Sequence, residues 1–165
     1  MNKKQVNALL KVMGKDAMRP GLMCAGINQY DGHGVLVATN GYALVAAKVG
    51  IDLELVGKVI KREAIERWYK LATGRDRLDG ASLAEIIADK SNLSSTPYPV
   101  WQGLVPSPSM KHEPQAGMKF DAELAKVLQD VNNGESLTYT LYGKLSPMVA
   151  RNEMGTFVLM PIKQK

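Results

Sequence analysis

The sequence is poor in the residues that most often build covalent or metal chemistry. Its single cysteine, Cys24, excludes an internal disulfide framework and a Cys-rich zinc site. Its two histidines, His33 and His112, leave little for a histidine-based metal centre. No apolar run approaches the roughly 18 residues that span a bilayer. No basic n-region followed by a short apolar stretch opens the chain, so no secretory signal is expected, and the reading is a reducing cytoplasm without membrane association. Gly-rich phosphate loops of the Walker or dinucleotide type are absent. The carboxylates Asp76 and Asp79 sit in a charged loop where solvation is their ordinary fate. No catalytic residue, metal or cofactor is expected, and the chain does not read as an enzyme.

What is present is a basic imbalance. The chain carries a formal charge of +5, compatible with an anionic partner but moderate. Residues 1–75 hold 12 Lys and Arg against 6 Asp and Glu, so the whole excess lies in the first half.

Apolar residues recur at helical spacing in three places: Val6, Leu9, Leu10 and Met13; Ile65, Trp68, Tyr69 and Ala72; Leu124, Val127, Leu128 and Val131. The two offsets are equal, at 59 residues, which suggests an internal repeat. After the first helix, strands are expected at Leu22–Tyr30, Gly34–Thr39 and Tyr42–Val49. Asp31-Gly32 and Asn40-Gly41 between them are strong hairpin signals. The third copy reads as a short strand at Gly117–Phe120, an N-cap at Asp121 and a helix over Ala122–Val131. Strands follow at Ser136–Tyr142, Leu145–Arg151 and Thr156–Ile162. The middle copy starts with strand Leu55–Ile60 and helix Lys61–Ala72. Leu83–Asp89 reads equally as strand or helix, and Tyr98–Val105 as an edge strand led in by prolines. The expectation is an α+β fold of repeated strand-helix-three-strand units with antiparallel sheets.

Three segments carry a resemblance. Ala38-Thr39-Asn40-Gly41-Tyr42-Ala43-Leu44 resembles the Ala-Thr-Asp-Gly-His-Arg-Leu segment of bacterial sliding clamps, the beta subunit of DNA polymerase III. Tyr98-Pro99-Val100-Trp101-Gln102-Gly103-Leu104-Val105-Pro106 resembles their Phe-Pro-Asp-Tyr-Arg-Arg-Val-Leu-Pro segment. Thr156-Phe157-Val158-Leu159-Met160-Pro161-Ile162-Lys163 resembles their C-terminal end. The resemblance implies a shortened clamp. Residues 1–106 would form a clamp-like domain of two half-units, 107–114 a linker, and 115–165 a third half-unit like the C-terminal half of a clamp domain. Twelve half-units close a clamp ring, so counting points to a homo-oligomer of four such chains, with a monomer or dimer as the competing outcome.

The resemblance also implies two sites. Clamp helices face duplex DNA through Lys and Arg without reading bases. The matching candidates are Lys4, Lys11 and Lys15 on the first helix, Arg62, Arg67 and Lys70 around the second, and Lys126 on the third. Ordinary solvated helix faces are the bland alternative, and Glu63 and the nearly neutral third helix favour it. The second site is an apolar pocket that receives short peptides from DNA polymerases and other partners. Its matching positions are Thr39, Gly41, Leu44, Val105, Pro106, Val158, Met160 and Pro161. Where the family has His-Arg, this chain has Tyr42-Ala43, and Gln102-Gly103 replaces Arg-Arg, so three charges leave the rim. The implied function is a clamp-like DNA-binding processivity or tethering protein of the kind a phage or mobile element would encode. The alternative is a decoy that keeps the peptide pocket without encircling DNA.

Overall fold

A computed structural model describes residues 1–107, 109–110, 119–143 and 146–162. His112, most of the expected linker, part of the Gly117–Phe120 strand and the start of the Leu145–Arg151 strand lie outside these residues.

The three expected helices form, each of ten residues: α1 over Lys3–Val12, α2 over Arg62–Leu71 and, after α3 (Gly80–Ala88), α4 over Ala122–Val131. Their starts keep the expected spacing to within one residue. Helix α1 opens with a reciprocal capping box, Asn2 Oδ1 accepting from Gln5 N at 2.9 Å and Gln5 Oε1 from Asn2 N at 2.8 Å. Asp121 caps α4 as the sequence predicts.

The strands are β1 (Cys24–Tyr30), β2 (His33–Thr39), β3 (Ala43–Lys48), β4 (Val59–Lys61), β5 (Met148–Asn152) and β6 (Gly155–Leu159). They form one antiparallel sheet in the order β4-β1-β2-β3-β6-β5. The β1–β2 turn has Asp31 at φ 51° and Gly32 at φ 75°, the two positive angles expected of Asp-Gly. The β2–β3 connection is wider. Asn40 Oδ1 accepts from both Tyr42 N and Ala43 N at 2.9 Å, so its side chain builds the turn.

Alternation along the strands divides the core in two. Leu36, Ala38, Val45, Phe157 and Leu159 face the layer of helices, in a cluster with Val6, Leu9, Ile65 and Leu128. Val35, Val37, Leu44, Ala46, Val149 and Val158 face the other way, beneath Trp101, Val105 and Tyr142. Helix α1 lies between α2 and α4. Gln5 Nε2 donates to Val131 O at 2.8 Å on one side, and Lys3 Nζ to Ala72 O at 2.6 Å on the other. Only a narrow strip of α1, carrying Lys4, Asn7 and Lys11, is exposed; Ala8 is buried.

The middle unit departs from the repeat. Residues 83–89, open between strand and helix in the sequence, belong to α3 (Gly80–Ala88), with Leu83 and Ile87 buried. Tyr98–Val105 is not a strand. Pro97 and Pro99 remove two backbone donors, and the segment runs as a strap with one 3-10 turn at Gln102–Leu104. Its hydrophobicity serves as a cover: Trp101 and Val105 lie on the sheet's outward face. Strand β4 is shorter than Leu55–Ile60 because Asp52 caps a 3-10 turn over Leu53–Leu55 and Gly57 then turns at φ 89°. Ser136–Tyr142 contributes one bridge, Thr140 to Val149, rather than a strand.

Candidate functional site

The seam between β3 and β6 joins the first unit to the third. Leu44 pairs with Val158 across it, and both side chains point to the outward face. At its end, Thr39 Oγ1 accepts from Gly41 N at 3.0 Å and donates to Ala43 O at 2.8 Å, which holds the loop closed. Beyond β6, Met160 N donates to Tyr42 O at 2.8 Å and Ile162 N to Lys119 O at 2.9 Å, so the Met160–Ile162 segment is fixed on both sides.

Two adjoining clefts result. The smaller, about 40 Å³, is lined by Thr39, Gly41, Ala43, Leu44, Leu104, Val105, Val158 and Met160. The larger, about 540 Å³, is lined by Gly41, Tyr42, Asp121, Leu124, Met160, Pro161 and Ile162. Gly41 and Met160 belong to both. Thus seven of the eight pocket residues named from sequence line one cleft or the other. Pro106 lines neither. Its carbonyl accepts from the Arg151 guanidinium, which also donates to Tyr142 Oη at 3.0 Å, and this anchors the strap that carries Val105. The smaller cleft has room for water but not for a leucine side chain. Leu104, 59% exposed, and the unbranched Met160 stand in its walls.

The sequence reading missed Leu104, Asp121, Leu124 and Ile162 as lining residues, and it placed Tyr42 and Ala43 at the rim, where they line the clefts. Leu104 and Ile162 stand inside the motifs that carried the reading. Asp121 and Leu124 gave only a cap and a helix stripe, and nothing in the sequence brings them to Met160.

The basic candidates divide. Lys11, Lys15, Arg62 and Lys70 line one groove of about 410 Å³ between α1 and α2, with Asn7, Leu10, Glu66 and Tyr69. Arg62 is already engaged there: its Nε lies 2.7 Å from Glu66 Oε1, and a second nitrogen is 3.4 Å from Met13 O. Lys11, Lys15 and Lys70 are exposed. Lys4 lies on the same strip of α1 as Lys11, two turns away. Arg67 is not brought to the groove; its guanidinium reaches Asn92 Oδ1 at 3.4 Å. Lys126 is exposed on α4. Lys3, unremarked in the sequence, rests 5.1 Å from the Tyr69 ring centre while bonding the last turn of α2, so it braces α1 against α2.

Cys24, Asp76 and Asp79 have structural roles. Cys24 is buried, its Sγ 3.6 Å from Pro20 O, and burial pushes its thiol pKa up, away from thiolate reactivity. Asp76 Oδ2 accepts from Thr73 N at 2.6 Å and Asp79 Oδ1 from Ser82 N at 3.0 Å; these backbone bonds hold both carboxyls below the usual range. They are turn and cap residues. Among the described residues, no group of three or more His, Cys, Asp or Glu side chains could hold a metal ion, and no helix is long and apolar enough to cross a membrane.

No protein-family model and no curated protein matches this sequence. Solved structures do resemble the chain. The DNA polymerase sliding clamp of Bacillus subtilis superposes with a TM-score of 0.60 at 10% identity, over 100% of this chain and 64% of that one. The Caulobacter crescentus clamp gives 0.62 at 12% identity, over 99% and 65%. The Bartonella birtlesii sliding clamp, DNA polymerase III subunit beta, solved bound to griselimycin, gives 0.59 at 14% identity, over 99% and 65%. The chain therefore spans about 64–65% of the length of these relatives in structure. Its mixed helices and six-stranded antiparallel sheet carry the sliding-clamp fold in a shortened form.

Proposed function

We propose that this chain is a non-enzymatic, sliding-clamp-like tethering protein. It docks short apolar peptide segments of a DNA polymerase or another partner in the paired clefts, and it contacts duplex DNA without sequence preference through the α1–α2 groove. The observation that carries this reading is the convergence of seven residues from three separate segments onto two adjoining clefts. A stretch of rigid strand-end backbone with apolar walls suits a peptide anchor, and methionine adapts to varied ones. The docking site then lies at the junction of residues 1–106 with the half-unit 115–165. Lys11, Lys15 and Lys70 supply the attraction to phosphates, with Lys4 on the same strip of α1 and Lys126 on α4 adding to it, and such attraction is salt-sensitive. The protein acts in the cytoplasm as a homo-oligomer, with a phage or mobile element as its setting.

The second reading is a protein that captures clamp-binding peptides without encircling DNA. One observation favours it: Lys126 is the sole basic residue of α4. Light scattering at low and high salt, with and without duplex, separates the two. An oligomer that binds duplex at low salt supports the tether. A monomer indifferent to duplex that still binds a Leu-Phe peptide supports the decoy. A protein that binds neither overturns both.

A further inference from the structure

The larger cleft is apolar except at one point. Six of its seven lining residues are Gly41, Tyr42, Leu124, Met160, Pro161 and Ile162; the seventh is Asp121. The Asp121 carboxylate caps α4, and both capping bonds fall on the same oxygen: Oδ1 accepts from Glu123 N at 2.9 Å and Leu124 N at 3.1 Å. No hydrogen bond or ion pair to a described residue engages Oδ2. A cation stands near Gly41, since a side chain there would lie 3.6 Å from the Arg19 guanidinium. That guanidinium is already matched, with its Nε 2.9 Å from Asp16 Oδ2. Among the described residues that line the cleft, Asp121 alone carries a formal charge, and it is negative. Tyr42, 63% exposed, adds an aromatic ring to the lining.

We propose that Asp121 makes this cleft select peptides that carry a Lys or Arg beside their apolar anchors, and disfavour those with Asp or Glu there. The inference rests on the peptide-docking reading above. The apolar walls lower the local dielectric once a peptide covers them, which strengthens attraction to an amine and repulsion of a carboxylate. The stem of a Lys or Arg fits the same apolar surface while its head reaches Oδ2, and the Tyr42 ring offers a further favourable face. The rim positions that carry His-Arg in the family hold Tyr42 and Ala43 here, so neither contributes a formal charge that would attract an acidic peptide.

The test uses the full chain and two synthetic peptides with Leu and Phe anchors, identical except for one flanking Lys or Glu. Binding is read by fluorescence anisotropy in the parent and in Asp121→Asn. Asparagine is as good an N-cap as aspartate, so the variant removes charge and keeps the helix start. The Lys peptide is expected to bind roughly fivefold more tightly than the Glu peptide, as a partly exposed ion pair permits. Asp121→Asn is expected to bring the two affinities together. Unequal affinities that persist unchanged in Asp121→Asn, or equal affinities in the parent, overturn the role of Asp121 and leave docking intact. Failure of both peptides to bind the folded parent overturns docking and this inference with it.

Discussion

Replacing Gly155 with alanine tests whether the β3–β6 seam is as close as the clefts require. Gly155 pairs with Ala47 and Asn152 at the turn into β6, with φ at 151°. A Cβ there would collide with the Ala46 carbonyl oxygen and lie 3.1 Å from Ala47 Cα. Both obstacles are backbone, so relief means parting the strands by roughly 1 Å. Strained backbone contributes about 1–2 kcal/mol and overpacking about 1–2 more, giving a loss of about 3 kcal/mol. With a urea dependence of about 2 kcal/mol/M, the unfolding midpoint falls by about 1.5 M. Gly134→Ala is the control: Gly134 also has positive φ, 84°, but nothing lies within 4 Å of the added methyl group. It carries the conformational part alone, about 1 kcal/mol, or about 0.5 M of urea. Because Leu44 and Val158 face each other across the seam, Gly155→Ala also weakens Leu-Phe peptide binding, whereas Gly134→Ala leaves it unchanged. Equal midpoint shifts for the two variants would refute the close approach, and unchanged peptide affinity in Gly155→Ala would detach the seam from the site.

Three further outcomes follow from the geometry. In duplex binding measured against salt, Lys11→Gln with Lys70→Gln flattens the logarithmic slope by about 0.9 for each phosphate contact removed, whereas Arg67→Gln, directed at Asn92, leaves it unchanged; the reverse order would disprove the groove. Arg151→Met removes the bonds to the Pro106 carbonyl and Tyr142 hydroxyl, lowers stability by about 2 kcal/mol, and loosens the strap. Trp101, 1% exposed, then reports the loosening as a red-shifted emission, and an unshifted spectrum counts against the anchor. Burial pushes the Tyr139 phenol up to about 12, and Tyr98 upward as well. The folded state thus holds these protons more tightly than the unfolded chain, so their contribution to stability is full below about pH 10 and declines as pH rises towards 12. Tyr139→Phe is expected to flatten that alkaline decline in urea midpoints; an identical pH profile would contradict it.

Legibility in the sequence followed the locality of each signal. The helix stripes ending in Met13, Ala72 and Val131 were readable because a 3.6-residue period is written in adjacent turns. Asp121 as a cap and Asp31-Gly32 as a turn were readable because each acts within three residues. Tyr98–Val105 misled because apolar content fits both a strand and a cover, and only the prolines at 97 and 99 argued against the ladder. The α1–α2 groove was half legible. The lysine phase of α1 was visible, but the engagement of Arg62 with Glu66 and the direction of Arg67 depend on neighbours that periodicity does not place.

The sequence alone determined the α+β class and the spacing of the repeated helices, because these rest on local periodicity, while seven of the cleft residues came from the resemblance of three short motifs to sliding clamps. The tertiary structure alone decided that the first and third units share one sheet through β3 and β6 while the middle unit supplies a single short strand. It also decided that Asp121 stands beside Met160. Such pairings join residues far apart in the chain. Their free energy comes from surfaces that exist only once the sheet has closed, and no local pattern encodes it.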